Sequence, residues 1–554
     1  MSALSRALYT NVVRRLPKSA VSEGARHRLQ IFGRKSYARA VRLCGEGIDR
    51  VVKRDCPVTF QSNGKEMTLE GTLLSPAKRA SEALPVILIR TPYRRVNAFN
   101  LGWVYAERGY HVLVQDTRGR FGSSGEFFPV ANEVEDGRAT VQWLKAQNFC
   151  KNGKIGCLGI SYLGLTAYAA ASFDDTKESS GGVTCLVPCL SSSRLFPIFK
   201  APHGGGLALD LGLRWLYIVL NLQLRASGFV EFLYRLLISA PQLDNALLHV
   251  PLQEADAMVT GSGEHVAFFQ DALNNLNGDE PFWKDKDVLF DLAKHQVPPI
   301  HTPVLHASAL ALFQRHLKDE MQDVSDEEDF PVKVKVIKSG KWFRFKRWPP
   351  PNAHSQVWYL DCNSARLVTS APEHGSVDYT YNPEDPTPFV GGTSFNPSNS
   401  GPKDQNHFES RKDVAVFTSD ILPSPLRVVG TIIADIIVSC SIPHLDIVVR
   451  LCDVLPNGTS INVCDGMMRQ RDDSCKFQFC FNVASTAYEF KSGNRLRIQI
   501  CSGAHPKWLR NYGTNDAVAS AVNMLPARVS LLAPSSITLP ILPLDAKQHP
   551  HHRM

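Results

Sequence analysis

From Cys56 onward, short apolar runs alternate with helical patterns. Val58-Thr59-Phe60 and Leu69 to Leu74 lie on either side of Asn63-Gly64, which predicts a hairpin. Leu84 to Arg90 and His111 to Gln115 are continuous apolar runs, the pattern of strands buried on both faces. Val104 to Arg108 has a helical pattern that stops at Gly109, and a glycine-rich turn runs from Asp116 to Gly125. Asn132 to Gln147 predicts a helix with Asn132 as N-cap and Glu133, Glu135 and Asp136 in its first turn. Lys154 to Leu158 is a third buried strand, and Leu163 to Ser172 is the helix after it. Strand and helix alternating in this way predict a parallel α/β sheet with helices on both faces, over residues 51–195.

The pattern then changes twice. Residues 196–298 carry Leu, Phe and Trp at helical spacings, as in a helical cap inserted between sheet strands. The run Pro303 to His306 predicts a return to the sheet, within a second α/β segment over residues 299–351. After Pro349-Pro350-Pro351 the chain reads as short strands separated by turns such as Asn457-Gly458. Residues 352–545 are therefore an all-β sandwich or jelly roll, and residues 546–554 a tail. No run of about eighteen apolar residues predicts a membrane span.

Composition adds little to this, but charge does. At 44% hydrophobic and 21% charged, the chain has the means to build full cores. The net charge of +8 is uneven: residues 1–54 hold thirteen Lys or Arg against Glu23, Glu46 and Asp49, so that segment is +10 and the rest sums to −2. The basic excess belongs to an N-terminal extension, which argues against a nucleic-acid-binding face. Residues 1–22 contain no acid, which fits a mitochondrial or plastid transit peptide and equally an amphipathic helix. Thirteen scattered cysteines without zinc-ligand spacing point to reduced thiols in a cytoplasmic setting, and to no metal or cofactor. Deleting residues 1–50 is expected to leave the melting temperature nearly unchanged in a thermal scan; a large drop would show that the extension is part of the folded body.

The chemistry centres on Gly159-Ile160-Ser161-Tyr162-Leu163-Gly164. It follows a buried strand and opens a helix, the context of a nucleophile elbow. Glycines suit places where a side chain would strike the neighbouring strand or helix. The turn lifts the Ser161 hydroxyl and points the next backbone N–H at a forming oxyanion. The fifth place of a strict GxSxG is Leu163, with Gly164 one later. Asp116 and Arg118, at another strand's end, are read as an ion pair holding the glycine turn.

Several segments in order resemble the cocaine esterase and X-prolyl dipeptidyl aminopeptidase family of serine hydrolases. They are Arg90-Thr91-Pro92-Tyr93, Gln115 to Gly119, Glu135-Asp136-Gly137, Gly159 to Gly164, Trp348 to Pro351, and Arg510 to Thr514. The resemblance covers about residues 51–545. It implies an α/β-hydrolase sheet, a helical cap and a C-terminal jelly roll of galactose-binding-like type. It also implies Ser161 as nucleophile, with the Tyr93 hydroxyl and the Tyr162 backbone N–H as oxyanion donors, acting on a small ester or an N-terminal X-Pro peptide. An amine anchor for peptides has four unsupported candidates: Glu126, Glu133, Asp210 and Glu231.

The family's acid and histidine are not found. Thr302 to Ser308 matches the strand before the acid, and Ala309 to Lys318 matches a later helix, so several tens of residues are missing between Ser308 and Ala309. His306 and His316 flank the gap without matching the catalytic position, and Asp319 and Asp323 read as surface acids. A skipped exon or a faulty gene model would explain the abrupt junction, whereas a natural pseudoenzyme would more often keep the strand and change single residues. The leading expectation is a serine hydrolase; the other is a non-catalytic scaffold or binding protein that retains the elbow.

Overall fold

A computed structural model describes residues 50–171, 182–191, 206–224, 241–260, 263–276, 306–318, 332–394, 396, 399–471 and 474–546. The basic extension, Glu231, residues 303–305, Asp319 and Asp323 lie outside the described residues.

Strand β1 (Val51–Asp55) leads into a hairpin of β2 (Val58–Ser62) and β3 (Lys65–Leu69). Asn63 and Gly64 both have positive φ, as the tight turn between the two strands requires. There follow β4 (Gly71–Pro76), β5 (Leu84–Thr91), helix α1 (Arg95–Ala106), β6 (His111–Asp116), α2 (Glu133–Lys145), β7 (Cys150–Ile160), α3 (Tyr162–Ala171) and β8 (Cys185–Cys189). These strands form one sheet in the order β1-β4-β6-β5-β7-β8. β5 to β8 pair in parallel, while β1 and β4 run antiparallel at one edge. Every residue of β5 and β6 is buried, in keeping with their unbroken apolar runs. α1 begins nine residues before the sequence pattern suggested, because Arg95, Asn97 and Asn100 interrupt its apolar face. Asn132 sits at the N-cap of α2 but makes no side-chain capping bond. Glu133 and Asp136 of that first turn are instead held by arginines. Gly137 lets α2 meet α3 closely: a Cβ there would lie 2.7 Å from the Ala170 Cα.

Cap helices α4 (Leu209–Leu224), α5 (Pro241–Leu248), α6 (Ala255–Thr260) and α7 (Ala267–Asn274) follow. Of the expected sheet strand over Pro303 to His306, only His306 lies within the described residues. His306 is the first residue of helix α8 (His306–Lys318). This helix lays Phe313 on the sheet at Gly156, where a Cβ would come within 2.6 Å of the ring, and against Tyr105 at 5.5 Å. Among the described residues the sheet ends at β8.

A hairpin of β9 (Val332–Lys335) and β10 (Trp342–Phe345) packs Phe343 and Phe345 against Val429 and Leu542, so the β domain's packed unit begins before the triple proline. β11 (His354–Asp361), β12 (Arg366–Val368), β13 (Ser376–Tyr381), the short helix α9 (Asn406–Glu409), β14 (Ala415–Thr418), β15 (Leu426–Cys440), β16 (His444–Val454), β17 (Ser460–Arg471), β18 (Lys476–Phe490), β19 (Arg495–Cys501) and β20 (Ala527–Ile541) complete the chain. They form a ten-stranded, largely antiparallel sheet, in the order β17-β16-β19-β14-β12-β11-β20-β15-β18 with β13 on β20. The sheet folds back on itself: Gly466 of β17 lies so close to β18 that a Cβ would meet the Val483 carbonyl at 2.3 Å.

This domain is seated on the cap. Leu509, Tyr512, Val518 and Ala521 share a core with Leu213, Tyr217, Leu243 and Val259, and the Leu509 N–H donates to the Leu207 carbonyl at 2.7 Å. Limited proteolysis is therefore expected to release no intact, independently folded fragment starting near residue 352. A clean fragment of that kind would show a tethered module instead.

Candidate functional site

The Gly159-to-Gly164 turn has the geometry that the sequence suggested. β7 ends at Ile160 and α3 starts at Tyr162, which leaves Ser161 alone between them with φ +59°. A serine held there costs about 1–3 kcal/mol and persists only where its surroundings enforce it. The enforcement is visible. The Ser161 N–H donates to the Cys189 carbonyl at 2.9 Å, and its own carbonyl accepts from the Gly164 N–H at 2.8 Å. A Cβ on Gly159 would sit 2.0 Å from the Leu163 backbone, and one on Gly164 2.6 Å from the Ser191 Cβ. The glycines are needed at these places, and the displaced fifth position is absorbed because Gly164 faces Ser191.

Tyr162 opens α3, so its N–H is one of the four that intrahelical bonding leaves available. Its buried ring is fixed from two sides. The hydroxyl accepts from the Val130 N–H at 2.8 Å and donates to Glu133 Oε1 at 3.0 Å. Tyr93 follows β5 and turns its ring edge to Tyr162, at 6.4 Å between centroids. The cap reaches both tyrosines through Trp215 of α4. Its indole N–H donates to the Tyr93 hydroxyl oxygen at 2.8 Å, and its ring stacks on Tyr162 at 6.0 Å. Burial pushes the Tyr93 phenol up to about 12, against the opposing effects of the Trp215 bond and the Arg120 charge. Tyr93 is therefore a neutral O–H at physiological pH.

Beneath the turn lies a buried ion network. The Arg90 guanidinium, 1% exposed, pairs with Glu133 at 3.0 Å and Asp136 at 3.5 Å, and donates to Gln115 at 3.0 Å. Arg118 pairs with Asp136 and with Glu135, not with Asp116. Asp116 instead holds Arg95, through its backbone N–H at 2.5 Å and its guanidinium at 2.6 Å. The expected Asp116–Arg118 pair is corrected accordingly: the turn beyond β6 carries the two side chains to different partners. Arg120, which sequence reasoning did not single out, spans the glycine turn, Tyr93's loop and the cap by donating to the Pro92 and Val219 carbonyls at 3.0 and 2.9 Å.

Ser161 itself is exposed, and among the described residues its hydroxyl meets no histidine. His316 lies on α8, partly buried, and the His306 side chain is outside the described residues. A buried acid paired with a histidine does occur in the cap, where His265 Nδ1 is 3.0 Å from Asp256 Oδ1, but that carboxylate also accepts from the Val266 N–H and Gln270. Its bonds tie the α6–α7 connection together. Of the candidate amine anchors, Glu133 and Asp210 are buried in ion pairs with Arg90 and Arg214, and Glu126 is exposed. No group of three or more His, Cys, Asp or Glu able to hold a metal occurs among the described residues, and no helix among them is long and apolar enough to cross a membrane.

Comparison with known proteins matches these features to one family. Residues 64–312 match the X-Pro dipeptidyl-peptidase (S15 family) model, and residues 326–520 match that of the X-Pro dipeptidyl-peptidase C-terminal non-catalytic domain. Cocaine esterase of Rhodococcus sp. (strain MB1 Bresler) is 27% identical over 553 positions, covering 84% of this chain and 94% of that protein. Among solved structures, an α-amino acid ester hydrolase aligns with TM-score 0.72 at 19% identity, over 90% of this chain and 98% of its own. An aminopeptidase from a marine-sediment Thaumarchaeota archaeon aligns with TM-score 0.71 at 20% identity, over the same shares. These two likenesses bear on the fold. With the paired domains matched in order along the chain, the protein belongs to the cocaine esterase and X-prolyl dipeptidyl-peptidase family of α/β-hydrolases.

Proposed function

We propose that the site is that of a serine hydrolase that cleaves a small ester or an N-terminal X-Pro amide through an acyl-enzyme on Ser161. The Tyr93 hydroxyl and the Tyr162 N–H would receive the oxyanion. The observation that carries this reading is the positive φ of Ser161 on a turn closed by Gly159 and Gly164. Strain of that kind is retained where a side chain has to be presented.

The acid and histidine would come from the segment missing between Ser308 and Ala309. The Rhodococcus alignment supports a shortfall, since 84% of this chain is fewer residues than the 553 positions aligned. One observation favours the second reading, a non-catalytic scaffold, for the chain in its 554-residue form: Ser161 is exposed beside a sheet that ends, among the described residues, at β8. The test inserts the corresponding relative's segment between Ser308 and Ala309. The extended chain is expected to take a fluorophosphonate at Ser161, to hydrolyse small acyl esters, and to lose both on Ser161→Ala. An inert extended chain that folds would favour the scaffold.

A further inference from the structure

The β domain has a cavity of about 640 Å³, lined by none of the residues of the Ser161 turn or the cap. That volume lies in the range of small-molecule sites. Three arginines line it: Arg366 of β12, and Arg495 and Arg497 of β19. Their placement follows from strand register. Arg366 is paired across β12–β14 with Thr418, and Thr418 is paired across β14–β19 with Arg497, so the three stand in one row on one face. The two arginine stems are therefore two strand spacings apart, roughly 10 Å, and Arg495 is two residues from Arg497 on the same face, roughly 7 Å away.

Three guanidiniums carry fifteen N–H donors in all. Few are used. Arg497 donates to Glu409 and, at 2.9 Å, to Thr418 Oγ1; Arg495 donates to the Ser419 carbonyl at 2.9 Å; Arg366 pairs with Asp420. Asp420 is 81% exposed, so its pairing is worth about 0–1 kcal/mol and yields readily to a competing anion. Glu409 is 9% exposed and also accepts from Gln499, so it fixes Arg497 in place. Arg495 has a carbonyl as partner where its neighbours have a carboxylate. Against these cations stands an apolar wall of Ile421, Val454, Leu455 and Pro456, of which Ile421 is 56% exposed. Like charges side by side on a sheet face are unfavourable unless something neutralises them, and Glu409 and Asp420 offset two of the three cations. Arginine forks match carboxylate and phosphate oxygens.

We propose that this cavity is a binding site for a small organic anion carrying two oxyanion groups, carboxylate or phosphate, on a compact body that rests against the Ile421 wall. It is independent of chemistry at Ser161. The test is calorimetric titration of the full 554-residue chain with citrate, inorganic pyrophosphate, inorganic phosphate and phenyl phosphate, at low and at physiological salt. Saturable one-to-one binding of citrate or pyrophosphate is expected, weakened by salt. Citrate alone would assign a carboxylate ligand, pyrophosphate alone a phosphate ligand, and tighter binding of phenyl phosphate than of inorganic phosphate would assign the apolar wall a role. Arg495→Gln is expected to weaken binding at least tenfold and Arg366→Gln several-fold, with melting temperatures unchanged. Arg528→Gln, at an exposed position of β20 outside the cavity lining, should have no effect. Absence of saturation by 10 mM of every probe would overturn the proposal. So would binding that Arg495→Gln and Arg366→Gln leave intact, because that would be general attraction to a basic protein.

Discussion

The 554-residue chain is expected to turn over 4-nitrophenyl acetate no faster than its Ser161→Ala variant, within about tenfold, and to take little fluorophosphonate at Ser161. A serine hydroxyl is almost wholly protonated at neutral pH and becomes a nucleophile when an adjacent base removes the proton. Among the described residues no histidine stands at Ser161. The oxyanion donors alone retain roughly 10³–10⁴-fold over water in a site without a triad. Hydrolases with a complete triad work far above that, in a range that starts at about 10⁶-fold. If the neutral Tyr93 phenol donates to the oxyanion as proposed, the deficit is specific to the base, for which no proton acceptor stands at Ser161 among the described residues. Brisk turnover that disappears on Ser161→Ala would sink this expectation. His306 and His316, which flank the junction, would then be the first residues to replace.

What could be read from the sequence follows the range of the interactions. The sheet strands were visible because burial on both faces leaves an unbroken apolar run, as in Leu84–Thr91. The Ser161 turn was visible because its requirements are local: glycines where Leu163 and Ser191 approach, within a strand-to-helix transition. Trp215 and Arg120 were not visible. Trp215 acts on Tyr93 from 122 residues away, and Arg120 on Val219 from 99, and nothing in local periodicity reports such a contact. The Asp116–Arg118 reading failed for the same reason. Proximity in sequence suggested a pair, while the fold supplied each side chain with a better-placed partner, Arg95 and Asp136. At Pro303 to His306 the apolar run is too short to distinguish a strand from the approach to a helix, and of these residues only His306, at the start of α8, is described.

The second large effect concerns Arg90, which the family-like stretch Arg90-Thr91-Pro92-Tyr93 contains but whose role lies below the site. Arg90→Met is expected to cost about 3–5 kcal/mol, because it strands buried carboxylates rather than merely deleting a pair. Glu133 and Asp136 are 4% and 0% exposed. For both, burial raises the carboxyl pKa and the Arg90 charge is the foremost influence lowering it. Removing Arg90 raises both further above their unfolded values. A carboxyl whose folded pKa is raised destabilises the fold when ionised, so the loss is largest above the raised folded pKa and shrinks as pH falls toward the unfolded pKa. Urea titrations of both proteins at pH 7.5 and pH 5 check this, with the gap between wild type and Arg90→Met expected to narrow at the lower pH. The damage should extend upward: the hydroxyl of Tyr162, the first residue of α3, donates to Glu133, so the helix that follows Ser161 rests on this network. A cost below about 1 kcal/mol, or a gap that widens at pH 5, would show that water already solvates these carboxylates and that the elbow is held by its glycines and the Cys189 bond alone.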